Sequence, residues 1–422
     1  EAMVFLRIFG VQAHRHGIDQ PFQLGQDVPA IDQVGLPVRV DSNPGPLFLQ
    51  LRSHRFDQVQ PQHPLPWNVY NDSDQLLLSR GYVLQDAAQV HALIARGMYV
   101  DQVAYDAHQQ DTQRQTRRQD AVTLWADLHQ RMAQLLTQPA DAFAFRQTMQ
   151  EACDDIRHAL QHRQEASLFE LLHTDDPASY AVSHSVQTAF MANLVGQRMG
   201  WSEAECDTLS QAALTMNLGM LPLQSTLALQ LTPLSPQQRQ AVHDHGAIGR
   251  RALEARGVTD THWLHAVEHH HVTPDGGPLP AQHAEHGEMA CMLHYADVYL
   301  AKISARASRP AMPSHVAARS LFQQADGAHN PYVAALIKEI GVYPPGSCVR
   351  LANGEIGIVV RRGEAAHLPE VHSLIDANGQ PMPQALRRDT AQPAHKVTEA
   401  LPRGRLSQRL NRRALFAQPA AA

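Results

Sequence analysis

The segment YAVSHSVQTAFMANLVG, residues 180–196, decides which kind of fold the centre of the chain adopts. Its apolar residues Val182, Val186, Phe190 and Leu194 recur at helical spacing, which places them on one face of an α-helix. His184 lies beside this apolar stripe. A single histidine in such a place is usually an ordinary core or surface residue, so its role depends on the sequence around it.

The chain on both sides of this segment carries the start and stop signals of further helices. Polar capping residues and a terminal glycine recur between Asp176 and Gly346: Ser202 with Glu205, Ser235 with Gln238, Asn330 before Pro331, and Gly341. The stretch LTMNLGMLPL, residues 214–223, is predicted to be the end of a buried helix followed by a proline-marked loop. The region is therefore predicted to be all-α.

The flanking regions differ in character from this helical centre. A small hairpin-plus-helix module is predicted from the apolar runs around Asn71–Asp74 and the helical pattern of Ala88, Leu93 and Ile94 before Gly97. Two Asn-Gly pairs predict β-hairpins after residue 346. The predicted divisions are an irregular segment 1–60, the module 61–102, a helical connector 103–175, the helical domain 176–346, a β-hairpin extension 347–385 and a basic, mobile tail 386–422.

Composition excludes several classes of protein. The 422 residues are 44% hydrophobic with a formal net charge of -6, so the chain is globular and has no overall basic excess for nucleic acid. Its four cysteines form no C-x-x-C pair, which favours a reducing cytoplasm over a disulfide framework. The apolar opening MVFLRIFG is far shorter than the roughly 20 residues of a membrane helix, so no membrane span is predicted.

Further histidines and one aspartate follow His184 in an ordered series. His245 lies in VHDHGAIG, His270 and His271 lie in EHHHVTPDGG, and Asp297 lies in the apolar helix pattern HYADVYLA. A buried carboxylate without a partner is costly, so Asp297 is expected to have one. The histidines near helix ends could converge on one cleft.

These blocks, together with ADVYLAKISARASRPAMP and IGVYPPGSCVRLANGEIGIVV, resemble the HD-GYP family over about residues 175–362. The resemblance implies an all-α HD-superfamily domain and metal-dependent hydrolysis of cyclic di-GMP with iron or manganese. It also implies two groups of site residues, which are the metal ligands His184, His245, His270, His271 and Asp297 and the phosphate-binding pair Arg306 and Arg309.

The sequence departs from the family pattern at its defining motifs. Met216 and Asn217 stand at the His-Asp pair, and Met220 stands at the lysine that follows. A thioether and a neutral amide are poor substitutes for an imidazole and a metal-bridging carboxylate. The Gly-Tyr-Pro signature is also eroded, with Val272 at its glutamate and Pro278-Leu279-Pro280 at its turn, although Asp275-Gly276 remain.

Three interpretations follow from this combination. The first is a catalytically impaired receptor or regulatory protein for cyclic di-GMP, and the second is a working phosphodiesterase with an atypical site. The third is a structural interaction module that binds neither nucleotide nor metal. The site is expected to hold one divalent iron or manganese ion at reduced occupancy, or none. Partner signalling proteins and a homodimer through the helical connector are also expected.

Overall fold

The computed structural model describes ten stretches of the chain. They are residues 48–50, 59–95, 98–118, 120–138, 141–173, 179–271, 287–325, 329–365, 367–402 and 410–416. The chain divides into two compact units, Glu1–Asp106 and Ala107–Ala422. Within these stretches helices predominate, which confirms the predicted mainly α fold. No helix in them is long and apolar enough to cross a membrane.

The smaller unit is a four-stranded sheet with one helix against it. The strands are β1 (Phe48–Gln50), β2 (Val69–Tyr70), β3 (Leu76–Leu78) and β4 (Tyr99–Asp101), in the order β1-β4-β2-β3, and the helix is α1 (Ala87–Ala95). The predicted hairpin is confirmed, because Val69 pairs with Leu78 and the Asn71 side chain accepts hydrogen bonds from the backbone of Ser73 and Gln75. Strand β1 lies in the segment 1–60, which was predicted to be irregular, and it pairs with β4. The predicted helix-ending Gly97 lies outside the described residues.

The larger unit is built on helices. They are α2 (Gln102–Arg118, which crosses the boundary between the units), α3 (Ala121–Thr137), α4 (Ala142–His162), α5 (Gln164–His173), α6 (Tyr180–Arg198), α7 (Glu203–Thr215), α8 (Leu221–Leu229), α9 (Pro236–Glu254), α10 (Thr261–His269), α11 (Gly287–Ile303), α12 (Ser314–Gln324) and α13 (Pro331–Ile340). One hydrophobic core joins α3 to α13. Leu128 of the predicted connector and Phe190 of the predicted domain both belong to this core. The predicted boundary between residues 175 and 176 therefore does not separate two hydrophobic cores.

Capping explains where most of these helices begin. Ser202 and Glu205 form a complete capping box at α7, and Ser235 and Gln238 form another at α9. Asn330 caps α13, which ends at Gly341 with a φ of 73°. These boundaries agree with the sequence predictions because capping depends on a few neighbouring residues.

The stretch 214–223 differs from its prediction after the first two residues. Helix α7 ends at Thr215 as expected, but Leu218–Met220 form a 3₁₀ turn and α8 follows at once from Leu221. The predicted loop is wrong because Pro222 lies in the first turn of α8, where a missing backbone N–H costs nothing. The chain therefore stays helical past the replaced positions.

A five-stranded antiparallel sheet completes the larger unit. It contains β5 (Cys348–Leu351), β6 (Ile356–Arg361), β7 (Glu370–Ile375), β8 (Pro381–Asp389) and β9 (Val397–Leu401), in the order β8-β7-β6-β5-β9. Both Asn-Gly hairpins are confirmed, with positive φ at Gly354 and Gly379. The predicted limit of the β region at 385 is wrong, because β8 continues to Asp389 and β9 adds a further strand.

A short helix lies beyond this sheet, in the segment predicted to be a mobile tail. Helix α14 (Arg412–Phe416) has Leu415 buried in a cluster with Phe169 and Ile358. The ring of Phe416 meets that of Phe169 edge to face at 5.2 Å. Apolar docking therefore holds this part of the tail in place, whereas Arg403, Arg405 and Arg409 lie outside the described residues.

Candidate metal and phosphate site

The five predicted metal ligands come together from four parts of the fold. His184 lies on α6, His245 on α9, His270 and His271 at the end of α10, and Asp297 on α11. Asp297 bridges two of the histidines, with Oδ1 2.5 Å from His184 Nε2 and Oδ2 3.4 Å from His271 Nε2. All are buried except His271, whose side chain is 40% exposed. The site is therefore a buried cluster that opens at one histidine.

Three of these histidines have the geometry of a metal-binding group. His245, His270 and His271 each offer a ligand atom, and these atoms lie within 4.8 Å of one another. The Nδ1–H of His245 donates to the Val242 carbonyl at 2.5 Å, and that of His270 donates to the Val267 carbonyl at 2.8 Å. Such bonds to backbone carbonyls fix the tautomer and leave Nε2 as the ligand atom.

The two Nε2 atoms of His245 and His270 face each other at 3.1 Å. Burial lowers the pKa of both imidazoles, most strongly at His270, so both rings favour the neutral form. In both neutral rings the Nδ1 proton is already hydrogen-bonded to a backbone carbonyl. The Nε2 lone pairs of His245 and His270 then point at each other. A shared cation relieves this repulsion, so the donor set fits a divalent transition metal.

Asp297 supplies the negative charge in the cluster. Burial opposes its ionisation, but the hydrogen bond from His184 and the electrostatic effect of the nearby histidines outweigh burial and hold the carboxyl pKa well below its usual range. The carboxylate is thus charged and oriented by His184. A charged carboxylate beside imidazoles is the expected partner for a hard or borderline cation.

Close backbone packing brings these helices together. A Cβ on Gly246 of α9 would lie 2.5 Å from the Glu268 carbonyl oxygen on α10, and one on Gly219 would lie 2.2 Å from the His245 carbonyl oxygen. Helix α9 is therefore wedged between the 3₁₀ turn and α10. This explains why glycine follows His245 in HDHGAIG, because a larger residue would push His245 away from His270.

The positions that depart from the family pattern lie in or next to the same site. Asn217 and Met220 line a cavity of about 440 Å³ with His184, His271 and Asp297. Asn217 is 1% exposed, and its Oδ1 has no hydrogen-bond partner among the described residues. Met216 is buried in the hydrophobic core. A neutral amide therefore lies in the same cavity as His184, His271 and Asp297.

One part of the cavity wall is cationic. Arg306 and Arg309, the predicted phosphate-binding residues, both line it. Arg306 donates two hydrogen bonds to Tyr180 Oη, at 3.1 and 2.6 Å, and its guanidinium lies over the Tyr180 ring. Arg309 donates to the Ala301 carbonyl. The cavity therefore combines oriented guanidinium groups with the histidine cluster.

Two further polar residues belong to the site and were not identified from the sequence. Lys302 lines the cavity beside the arginines. His294 donates from Nδ1 to the His270 carbonyl at 2.8 Å, and its ring lies 5.8 Å from that of His271. His294 precedes Asp297 by three residues, a spacing that places both on one helix face and could have revealed it. Val272, Asp275-Gly276 and Pro278-Leu279-Pro280 lie outside the described residues.

Comparison with known proteins found similarity to a phosphodiesterase. No family model matches the chain. Over 225 residues the chain is 25% identical to a protein of Pseudomonas aeruginosa named cyclic di-GMP phosphodiesterase PA4108, a match that covers 52% of this chain and 54% of that protein. The chain thus spans about half the length of the curated relative it matches. The predicted resemblance to HD-GYP phosphodiesterases is confirmed.

The solved structures that were found to be similar include two of low sequence identity. Bd1817, an HDG"Y"P protein from Bdellovibrio bacteriovorus, is 15% identical with a TM-score of 0.44, covering 69% of this chain and 98% of that one. The HD domain of the L. monocytogenes phosphodiesterase PgpH is 13% identical with a TM-score of 0.28, covering 41% of this chain and 94% of that one.

Proposed function

We propose that the chain is a cyclic di-GMP signalling protein whose helical domain binds the dinucleotide but hydrolyses it poorly or not at all. The observation that carries this proposal is Asn217, a neutral buried amide in the cavity that holds the histidine cluster. A neutral amide cannot neutralise two adjacent metal ions, so a binuclear centre is disfavoured. In this proposal the domain is a receptor or regulatory partner in the cytoplasm.

The cationic wall supports binding independently of catalysis. Guanidinium groups match phosphate oxygens through paired charge-assisted hydrogen bonds, and Arg306 and Arg309 both face the cavity. Tyr180 already orients Arg306, so less side-chain freedom is lost when a phosphate binds. Lys302 adds a third positive charge. Binding to an anionic dinucleotide could therefore persist where turnover does not.

The three-histidine group favours a second candidate, an active phosphodiesterase with an atypical site. His245, His270 and His271 would hold one iron or manganese ion, and His184 with Asp297 would form part of an incomplete second position. A divalent cation bound there would supply Lewis-acid polarisation of the phosphodiester and an activated water. The two candidates differ in turnover and not in ligand.

Calorimetric titration with cyclic di-GMP, beside a hydrolysis assay with added manganese or iron, separates the candidates. We expect saturable binding with little linear dinucleotide formed, and a loss of affinity of roughly tenfold or more in Arg306→Ala. Arg319→Ala is the matched control, because Arg319 is an exposed arginine of α12 outside the cavity. Rapid metal-dependent turnover would favour the second candidate, and absence of binding would contradict both.

A further inference from the structure

The backbone carbonyl of His270 is held by a side chain from another helix. Helix α10 ends at His269, so this carbonyl is one of the terminal carbonyls that a helix leaves without an internal partner. His294 on α11 donates a hydrogen bond from its Nδ1–H to the His270 carbonyl oxygen at 2.8 Å. A carbonyl oxygen can only accept, so Nδ1 of His294 carries the ring proton. The bond therefore joins the end of α10 to α11.

The peptide unit that contains this carbonyl connects two of the three histidines of the metal-binding group. A peptide unit is planar, so a held carbonyl oxygen also fixes the direction in which the chain continues to the Cα atom of His271. His270 has a separate restraint, because its Nδ1–H donates to the Val267 carbonyl and its side chain is fully buried. The side chain of His271 is 40% exposed. The hydrogen bond from His294 therefore acts mainly on the placement of His271.

Helix α11 contacts the imidazole of His271 as well as the backbone before it. The ring of His294 lies edge-on to that of His271, with 5.8 Å between the ring centroids and 83° between the planes. Oδ2 of Asp297 lies 3.4 Å from His271 Nε2. His294 and Asp297 are three residues apart and so lie on the same side of the helix. One face of α11 therefore holds both the backbone that leads into His271 and its ring.

We propose that His294 is a positioning residue, which places His271 where it can share a metal ion with His245 and His270. The inference rests on the proposed metal binding by these three histidines, whose ligand atoms lie within 4.8 Å of one another. His294 acts on the metal through the His270 carbonyl and through His271, and it forms no bond to the metal itself. Replacing a residue that orients a metal ligand typically weakens metal binding by roughly 10- to 100-fold.

Titration of Co²⁺ into the metal-free full chain, followed by visible absorption, tests the hydrogen bond. His294→Phe keeps an aromatic ring and His294→Ala leaves space, but neither can donate to the His270 carbonyl, so both should weaken Co²⁺ binding by roughly 10- to 100-fold. His294→Asn keeps an N–H group near the position of Nδ1 and should stay within about threefold of wild type. His315→Phe is the control and should change nothing, because His315 is a half-buried histidine of α12 that does not line the histidine-site cavity.

A double-mutant cycle tests whether His294 acts through His271. In the wild-type chain His271→Ala should weaken Co²⁺ binding by roughly tenfold or more. In the His294→Phe chain the same substitution should cost less than about threefold, because His271 is already misplaced there. Fully additive effects would overturn the inference. A loss in His294→Asn as large as that in His294→Phe would also overturn it, because the ring and not the hydrogen bond would then be required.

The outcomes separate this inference from the proposed function. A wild-type chain that binds no Co²⁺ would contradict metal binding by the three histidines, and this inference with it, while cyclic di-GMP binding is decided by its own titration. Wild-type binding that is unchanged in both His294→Phe and His294→Ala would contradict the positioning role alone. Thermal unfolding without metal identifies variants that fold, and the comparison of His294→Ala with His294→Asn decides the matter if His294→Phe does not.

Discussion

At the scale of single residues, Asn217 is the strongest test of the proposed loss of catalysis. Asn217→Asp would place a carboxylate in the same cavity as charged Asp297. Without a cation we expect this variant to lose roughly 3 kcal/mol of unfolding free energy, because a second buried charge lacks a partner. Added Mn²⁺ should restore most of the loss, which calorimetric melting with and without the metal would measure.

The matched control for this variant is Asn193→Asp. Asn193 is equally buried, but its amide donates to the Cys206 carbonyl and to Ser210 Oγ on α7 and does not line the cavity. It should be destabilised with no recovery in Mn²⁺. Adding Met216→His and Met220→Lys to Asn217→Asp should raise metal content further. An unchanged metal content in this triple variant would mean that the metal site has been misplaced.

Glu170 makes stability depend on pH near neutrality. Burial is the main cause that raises its pKa from 4.5 to about 7, and Arg412 opposes the shift, with smaller effects from Asp120 and Arg413. The folded chain therefore holds a proton that the unfolded chain has lost between these two pH values, so this contribution to stability falls as pH rises through that window.

We predict that Glu170→Gln removes this pH dependence. The unfolding free energy of wild type minus that of the variant should fall by up to about 1.4 kcal/mol per pH unit across the window, as urea denaturation at several pH values would reveal. A difference that stayed constant or grew with pH would contradict the assigned direction of the shift.

At the scale of elements, the contact between the 3₁₀ turn and α9 is set by Gly219. A Cβ there would lie 2.2 Å from the His245 carbonyl oxygen and 2.8 Å from the Gly249 backbone nitrogen, so helix backbones would have to separate. We expect Gly219→Ala to cost about 1–3 kcal/mol or more in urea denaturation. Gly249→Ala should be far milder, because its nearest obstacle is a Val267 methyl group at 3.2 Å. Equal effects would contradict the packing argument.

Sequence patterns predicted elements well where the determining contacts were local. The capping boxes at Ser202 and Ser235 and the turns at Gly354 and Gly379 depend on a few adjacent residues, and all were predicted. The predicted β region ended too early, at residue 385, inside strand β8. This strand lies at a sheet edge with most of its residues exposed, so its sequence lacks the alternation expected of a half-buried strand. Local pattern likewise could not tell whether Pro222 ended a helix or began one.

At the scale of the whole molecule, residue patterns alone could not predict that the site residues of distant helices come together. His184, His245 and Asp297 lie on three helices far apart in sequence, and periodicity places each only on a face of its own helix. The motif resemblance grouped them, and the fold brings His184 against Asp297 and His245 against His270 and His271. A cavity of about 670 Å³ beside α3 had no motif to reveal it, because its lining residues are ordinary ones from α3, α5, α6, α8 and α14.

The attachment of α14 is a second long-range feature, and its energetic basis can be tested. Leu415 is 7% exposed in a cluster with Phe169, whereas Arg413 pairs with Asp120 while its own side chain remains 65% exposed. We expect Leu415→Ala to lower the unfolding free energy by roughly 2 kcal/mol, because buried apolar contacts are lost. Arg413→Ala should change it by less than about 1 kcal/mol, because exposed ion pairs contribute little.

Urea denaturation of the two variants beside the wild-type chain would measure both effects. The same ranking should appear in amide hydrogen exchange, with faster exchange at Phe416 in Leu415→Ala than in Arg413→Ala. The larger effect at Leu415 would mean that apolar burial holds α14 on the helical body, and that raising the salt concentration should not release it. A larger loss in Arg413→Ala would instead mean that charge pairing holds the helix in place.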